Sequence, residues 1–231
     1  MDETKILSAW RQNAQSWQAT LAEEEIASRQ VTNPAIFSAI QEHQPSSVLD
    51  VGCGEGWLLR QLREAESYHT RLGFEAVSYV PMTLVGIDGS EGLIAAAQAA
   101  GGADYQHLPY EAASPERLAE LGTFDLIVCN YSLFGKDSVV ELLAKLRQLL
   151  FDDGHLLIQT VHEEVFAGKT GWIEEDWHLM QQQYEGNYHW YLRDRAEWAQ
   201  TFRAANFQLV KTQETDHPET GKKISFIFHL G

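Results

Sequence analysis

Only two cysteines occur in 231 residues, Cys53 and Cys129. Both fall at expected strand ends, which argues against a disulfide framework, and two cysteines alone make no zinc site. No metal is expected. Basic residues are scarce: 17 Lys and Arg stand against 33 Asp and Glu, a formal charge of −16. That balance argues against nucleic acid, whose binding rests on Lys and Arg neutralising phosphates, and against an anionic membrane surface. No segment approaches 18 uninterrupted apolar residues, and Met1-Asp2-Glu3-Thr4-Lys5 is no basic prelude to an apolar stretch. A soluble, cytoplasmic protein is expected. Internal repeats and low-complexity tracts are missing too. What remains is 44% hydrophobic, enough for a packed core and unlike a disordered chain. The length fits one domain with appendages.

The pattern of elements then follows from periodicity. In residues 4–27, Ile6, Trp10, Ala14, Trp17 and Leu21 recur at helical spacing. Their aromatic face suits either docking on the domain or a lid over a ligand. Asn33 and Pro34 predict an N-cap and first turn of a helix reaching about His43. Val48 to Val51 reads as a buried strand, followed by a glycine turn and a helix over 57–66; 67–82 is expected as an insertion or loop. Thr83–Asp88 is the second strand, Ser90 caps a helix over 91–100, and Ala103–His107 is the third strand. Ser114-Pro115-Glu116 opens a short helix. Phe124–Asn130 is the fourth strand, followed by a helix over 137–150 closed by Asp152-Asp153-Gly154, and His155–Val161 is the fifth. Strands alternating with helices predict a doubly wound parallel sheet.

Residues 163–193 break that rhythm with Trp172, Trp177, Tyr184, Tyr188, Trp190 and Tyr191. Asp194 and Glu197 form a capping-box pattern for a helix to about 205. Phe207–Glu214 and Lys223–Leu230 read as a terminal hairpin. The expected fold is thus α/β and Rossmann-like: a seven-stranded sheet, mostly parallel with its last strand antiparallel, and helices on both faces. A single domain spans 1–231. It comprises a helical cap (1–44), a cofactor-binding core (45–162), a substrate-side aromatic insertion (163–193), and a terminal helix and hairpin (194–231).

The chemistry centres on Asp50-Val51-Gly52-Cys53-Gly54-Glu55-Gly56-Trp57. Glycines at a strand-to-helix turn let a ligand approach the backbone, and the helix N–H groups face it. A dinucleotide site wants G-x-G-x-x-G, with the third glycine permitting close helix–strand packing. Here the spacing is G-x-G-x-G, and Trp57 occupies the position of that third glycine, which disfavours a nicotinamide enzyme.

Asp50 to Gly56 resembles the first motif of class I S-adenosylmethionine-dependent methyltransferases. Val85-Gly86-Ile87-Asp88-Gly89-Ser90 is similar to their second-strand motif, Phe124 to Leu133 to the fourth-strand motif, and Leu146 to Leu156 to the segment entering the fifth strand. The resemblance covers about 46–162 in order. It implies S-adenosylmethionine as cofactor and S-adenosylhomocysteine as product. It places Gly52, Gly54 and Gly56 against the methionine and ribose parts, Asp50 near the amino group, and Asp88 on both ribose hydroxyls. Cys53, Gly89 and Ser90 belong to the same motifs, and Asn130 and Tyr131 face the transfer centre. Many members carry an acid after the third strand for the adenine amine; here the stretch reads Gln106-His107-Leu108-Pro109-Tyr110-Glu111, leaving main-chain contacts around Leu108. A narrower resemblance, to a bacterial group of small-molecule methyltransferases, rests on Trp10, Asn13, Trp17, Ser28 and Arg29, on Gln159 to His162, on Gly171-Trp172, on Trp190 to Arg193 and on Pro218 to Lys222. It adds Arg29 to the cofactor set.

For the acceptor, Asn130-Tyr131-Ser132-Leu133 is not the Asn-Pro-Pro-aromatic motif of enzymes that methylate planar amines in DNA bases or glutamine, and no Pro-Cys nucleophile of cytosine-ring methylation is present. A small molecule methylated at oxygen or nitrogen is expected. A general base is needed only where the acceptor carries the proton. His162 is the candidate, with a hydrogen-bonded structural histidine as the other reading; His189 and His178 come behind it, and Glu163 and Glu164 read as solvated. Trp10, Trp17, Tyr131, His162, Trp172, Trp190 and Tyr191 are the expected acceptor contacts, although the aromatics could instead fill the lid's own core. The chain is expected as monomer or homodimer. A non-catalytic cofactor-binding or interaction protein of the same fold is the alternative.

Overall fold

The computed structural model describes residues 3–23, 26–71, 81–176 and 184–231. In chain order it runs through α1 (Thr4–Gln12), α2 (Ala14–Ala22), α3 (Arg29–His43), β1 (Ser47–Val51), α4 (Trp57–Arg71), β2 (Thr83–Asp88), α5 (Glu91–Ala100) and β3 (Asp104–His107). It continues through α6 (Pro115–Ala119), β4 (Phe124–Asn130), α7 (Asp137–Leu146), β5 (Leu150–Val161), β6 (Gly171–Asp176), β7 (Asn187–Leu192), α8 (Arg195–Ala204), β8 (Leu209–Asp216) and β9 (Lys223–Leu230).

Seven strands form one sheet in the order β3-β2-β1-β4-β5-β9-β8. The first five are parallel, and β9 enters antiparallel between β5 and β8. This is the Rossmann-like sheet that the periodicity implies. Successive strand residues serve opposite faces. Val48, Leu126 and Val128 pack against Ile36, Ile40, Leu58 and Ile94 of α3, α4 and α5. Leu49, Ile127 and Cys129 pack against Leu118, Leu142 and Phe202 of α6, α7 and α8. Burial on both faces explains why β1 is apolar at every position except Ser47 and Asp50. Strand order reverses between β1 and β4, and at such a switch point the crevice beyond the strands' carboxyl ends is open to a ligand.

Several expectations change. The single helix over 4–27 is broken at Asn13, which is buried. Its side-chain amide donates to the carbonyls of Ala9 and Glu185, and its Oδ1 accepts from the Glu185 N–H at 2.7 Å. A side chain that bonds backbone this way competes with the helix ladder. α3 starts at Arg29, with Thr32 N already bonded to Ser28 O at 2.9 Å. Pro34 is therefore inside the helix and Asn33 is not its cap; the proline ring only removes one amide from the ladder.

α4 continues to Arg71, past the expected end at 66, while 72–80, Trp177 and His178 lie outside the described residues. α7 ends at Leu146 and a short 3-10 turn follows. β5 already begins at Leu150, paired with Phe124, and a register shift before Leu126 takes up Asp152-Asp153-Gly154 as a bulge rather than a helix end. The aromatic insertion contains a two-stranded antiparallel sheet, β6 with β7. The capping box at Asp194 and Glu197 is present in both directions.

Candidate functional site

The turn after β1 passes through Gly52, Gly54 and Gly56 at φ of 78°, 57° and 80°. Gly52 N and Cys53 N both donate to Ile87 O, at 2.8 and 3.0 Å, which ties the turn to the end of β2. The three glycines differ in purpose. A Cβ on Gly52 would lie 2.3 Å from Ser132 Cβ, and one on Gly56 would lie 2.5 Å from Tyr105 Oη. A Cβ on Gly54 would meet nothing within 4 Å. Gly52 and Gly56 let the protein close on itself, whereas Gly54 opens its backbone to the crevice.

Carboxyls gather beneath and beside this turn. Asp88 accepts from Ser90 N at 2.8 Å through Oδ1 and from Gly54 N at 3.0 Å through Oδ2. Each oxygen retains a lone pair for a further donor. Asp50 is buried and its Oδ1 has no hydrogen-bond partner. Burial, then the Asp88 and Glu55 charges, push its carboxyl up to about 8. Burial likewise raises Asp88 and Glu55. Among nearby cations, the Arg29 guanidinium lies 5.0 Å over the Trp57 ring and Arg60 lies 3.8 Å from Glu55. Three carboxyls thus meet at the turn, with both guanidiniums acting on Glu55. Cys53 lines the crevice, and burial raises its thiol well above the ordinary range, so it serves as a small apolar surface.

The flanking residues are positioned by main-chain bonds. Ser90 takes the extended N-cap backbone of α5, but its Oγ makes no cap bond and has no partner. Gly89 O accepts from Arg11 Nε at 3.0 Å and contacts His107 Nε2 at 3.1 Å. Leu108 N donates to Asp88 O, and its side chain is buried; Tyr110 and Glu111 face the crevice instead. After β4, Asn130 presents a buried Oδ1 without a partner. Tyr131 stands at φ 50°, a left-handed backbone that a bulky side chain rarely adopts, held by its N–H on Gln159 O at 2.8 Å.

A cavity of about 620 Å³ extends from Gly54, Asp88 and Tyr131 to a wall of Trp10, Trp17, Phe134, Val161, Tyr188 and Trp190. α1 roofs it. The Glu3 carboxylate accepts from Lys136 N, Asp137 N and Ser138 N at the start of α7, which favours an anion there. These bonds hold the Glu3 carboxyl below its ordinary range against burial, the largest influence, which pushes it up. Trp10 Nε1 donates to Tyr188 Oη at 3.0 Å. Phe134 reaches the wall because Tyr191 N bonds Phe134 O at 2.8 Å and Arg193 bonds Lys136 O.

Three of the expected acceptor contacts are not on this wall. In β7, Tyr188, Trp190 and Leu192 are buried and the alternate residues face the other way. Tyr191 thus turns outward, its hydroxyl on Glu197 at 2.9 Å. Trp172, opposite it in the ladder, packs edge-on against Tyr191 at 5.6 Å. His162 also stands apart from the cavity wall. Its Nδ1 accepts from Glu164 N at 3.1 Å, capping the turn after β5, and its ring lies 4.0 Å from that of Phe226. Burial lowers its pKa. These contacts fit the structural reading of this histidine, whose ring does not line the cavity. Sequence reasoning missed Leu7, Phe134, Tyr188, Glu141 and Lys145 as wall residues. Of these, only Tyr188 carried a signal, its two-residue spacing from Trp190.

An open sheet with β9 threaded antiparallel, and a glycine turn facing a strand-end acid at the switch point, defines the class I methyltransferase fold. A family model described as a methyltransferase domain matches residues 21–212. The chain belongs to that family, and by family and fold it is a class I S-adenosylmethionine-dependent methyltransferase. Comparison with curated proteins returns no match. Solved structures similar to it include the magnesium protoporphyrin IX methyltransferase of Synechocystis PCC 6803 with bound SAH, at 15% identity over 99% of both chains and a TM-score of 0.65. The CcbJ methyltransferase of Streptomyces caelestis shares 15% identity over 85% of this chain and 87% of its own, with a TM-score of 0.61. An S-adenosylmethionine-dependent methyltransferase of Mesorhizobium loti shares 18% over 80% and 89%, with a TM-score of 0.56. At these identities the likeness is one of fold.

Proposed function

We propose that this chain transfers a methyl group from S-adenosylmethionine to an oxygen or nitrogen of a small-molecule acceptor, by in-line displacement under a lid made of α1 and the β6–β7 hairpin. The observation that carries this reading is a continuous cavity that joins Gly54 and Asp88 to the aromatic wall. When bound, S-adenosylmethionine supplies an already activated sulfonium methyl. The residues present fit such a group. Gly54 leaves its Cβ space empty, Asp88 can accept two vicinal hydroxyls, and the orphaned Asp50 Oδ1 lies in a cluster of carboxyls that a cationic ligand would relieve.

In this reading Arg29, Cys53, Gly89, Asn130 and Tyr131 complete the cofactor's surroundings, with Gly52, Gly56, Ser90 and Leu108 holding the turn and strand end in shape. Trp10, Trp17 and Trp190 hold the acceptor and exclude water. The protein's contribution is then orientation and desolvation, with no metal and no obligatory base. Among the described residues no helix is long and apolar enough to cross a membrane. The charge of −16 supports a small acceptor over nucleic acid, and two buried free cysteines suit the cytoplasm.

Calorimetric titration with S-adenosylmethionine, S-adenosylhomocysteine and NAD(H) tests the reading. Saturable heat from both adenosyl ligands and none from NAD(H) is expected. The reverse pattern overturns it.

A further inference from the structure

Gln159 is a buried amide that follows three apolar residues of β5, Leu156, Leu157 and Ile158. The alternation that sends Leu157 toward α3 sends Gln159 the same way. In the sheet it sits between Asn130 of β4 and Ile227 of β9, and it is 1% exposed. An amide at this depth costs free energy unless it is bonded, so the core alone would favour leucine.

What the amide bonds lies outside the sheet. Its Nε2 donates to Thr32 O in the first turn of α3, at 3.0 Å. Thr32 is itself buried. One turn before it stands Arg29, whose guanidinium lies 5.0 Å over the ring of Trp57 at the start of α4. Ser28, Arg29, Thr32 and Asn33 line the cavity, whereas Gln159 does not. The Tyr131 hydroxyl faces the Ser225 and Thr32 side chains, and burial pushes its phenol up to about 12. The Tyr131 N–H rests on Gln159 O at 2.8 Å. One residue of β5 thus meets both the turn after β4 and the first turn of α3. The main-chain bond to Tyr131 is open to any residue at this position, but the bond to Thr32 needs a side-chain donor of glutamine's length. The other amide atom, Oε1, is buried and has no partner among the described residues. An unbranched apolar side chain of similar length would therefore delete one bond and leave the strand ladder intact.

We propose that Gln159 is a positioning residue of the methyl-transfer site, acting through Thr32 to set the height of the first turn of α3 above the sheet, and so the place of Arg29 against the bound donor. The proposal rests on the methyltransferase reading above. It gives the buried amide a task that packing does not. Thr32 and Arg29 share one helical turn, so a bond at the first fixes the backbone of the second, while stacking on Trp57 holds the guanidinium at its far end. Burial is also the largest influence on Arg29 and lowers its pKa, with the Glu55 charge opposing it. A guanidinium bonds a ligand strongly where its fork is held in register, and a shifted α3 would lose that register.

A double-mutant cycle on the full chain separates positioning from packing. S-adenosylhomocysteine is titrated calorimetrically into the parent, Gln159→Met, Arg29→Met and the double variant, and a urea midpoint is measured for each. Arg29→Met is expected to weaken the ligand about tenfold, the scale of one bond to a charged group. Gln159→Met should weaken it about fivefold in the parent, the scale of one buried hydrogen bond, and less than about twofold once Arg29 is gone, because residues that act through one another are not additive. A purely structural glutamine would give the same factor in both backgrounds, or lower the urea midpoint with affinity unchanged. Either result overturns the proposal, as does an Arg29→Met variant that binds as the parent does. Gln159→Leu, closer in shape to the preceding core residues, repeats the cycle where the methionine variant does not fold. Failure of both to fold assigns Gln159 to the fold alone and overturns the positioning role. No heat from S-adenosylhomocysteine with the parent chain overturns the methyltransferase reading itself, whereas parent binding with an additive cycle overturns only the role of Gln159.

Discussion

The two ends of the cavity are built on different principles. The donor end is made of backbone and strand-end carboxyls drawn from short stretches, 50–56, 88–90 and 130–131, that the sheet brings side by side. It is left incomplete: Asp50 Oδ1, Ser90 Oγ and Asn130 Oδ1 are buried without partners. The acceptor end is made of large side chains from α1, the loop after β4 and β7, and is largely complete without a ligand: Trp10 bonds Tyr188, and the rings of Trp10, Phe134, Tyr188 and Trp190 interlock. A buried polar group without a partner costs free energy that a suitable ligand can restore. An interlocked aromatic wall instead holds its shape and selects by fit. The first end keeps unmet hydrogen-bonding capacity; the second closes on itself through contacts among its rings.

Within the donor end the largest expected effect is on folding. Gly52→Ala forces a Cβ to 2.3 Å of Ser132 Cβ on a backbone at φ 78°. Overpacking and the left-handed penalty together should destabilise by roughly 3 kcal/mol, read as a lower urea midpoint at unchanged slope. Gly54→Ala carries only the φ penalty, about 1 kcal/mol, because its Cβ enters open space. That space is where a donor would lie, so Gly54→Ala should weaken S-adenosylhomocysteine more than it weakens the fold. Equal destabilisation by the two alanines would dissolve the distinction between packing glycine and ligand-facing glycine.

Next in size is Asp88→Ala. Losing two charge-assisted bonds to a ribose diol should weaken S-adenosylhomocysteine about a hundredfold in calorimetry. Affinity within threefold of the parent protein would move the ribose elsewhere.

Asp50 sharpens the contrast through pH. Its carboxyl rises from 3.8 to about 8 on folding, so between those values the folded chain holds a proton that the unfolded chain releases. Stability from this group is thus lost as pH climbs through that window. Asp50→Asn should raise Tm relative to the parent at pH 8 and not at pH 4, by a few degrees, since about 1 kcal/mol is roughly 2–4 °C at this chain length. The same variant should bind S-adenosylhomocysteine less tightly, because the charge that opposes folding is the one that favours a cationic ligand. A variant that gains stability at no loss of affinity would show that Asp50 serves only the fold.

Legibility in the sequence follows the same division. The mostly parallel sheet with its antiparallel last strand, and the glycine turn facing a strand-end acid, were readable because each depends on contiguous patterns: apolar runs of five to seven residues, glycines at alternate positions, an acid ending β2. The acceptor end depends on which face of a short strand points inward. In β7, Tyr188 and Trp190 face the cavity while Tyr191 does not, and no pattern in 163–193 fixes the register of β6 against β7 without the three-dimensional partner. Asn13 and Pro34 escaped for a related reason. Asn13 breaks the expected helix through side-chain bonds to Glu185, far away in sequence, and Pro34 does not open its helix because that helix is already under way from Arg29. Phe134 was invisible because a loop residue's direction is set by Arg193 and Tyr191, some sixty residues on.

His162 shows how little a strand-end histidine says by itself. Its Nδ1 is committed to Glu164 N and its Nε2 faces Glu214 at 3.9 Å. His162→Ala should lower stability by about 1–2 kcal/mol through the lost cap and the space beside Phe226. The pH profile of kcat for any acceptor should not move. A lost or shifted limb in that profile would restore His162 as a base and place it within reach of a substrate proton.

The smallest effect is expected from Trp172→Ala, and it is the cleanest probe of the acceptor end. Trp172 and Trp190 are tryptophans of one two-stranded sheet, but Trp190 is 3% exposed on the inner face, whereas Trp172 is only half-buried and rests on Tyr191. Removing Trp190 should destabilise by about 3–5 kcal/mol, as for a buried aromatic, and raise acceptor KM. Removing Trp172 should forfeit one exposed edge-to-face pair, about 0.5–1 kcal/mol, and leave acceptor KM unchanged. Because both variants lose the same side chain from the same hairpin, a KM change in Trp172→Ala alone could not come from composition or overall hydrophobicity. It would require the hairpin to turn its other face to the cavity, and with it the inward set Tyr188, Trp190 and Leu192.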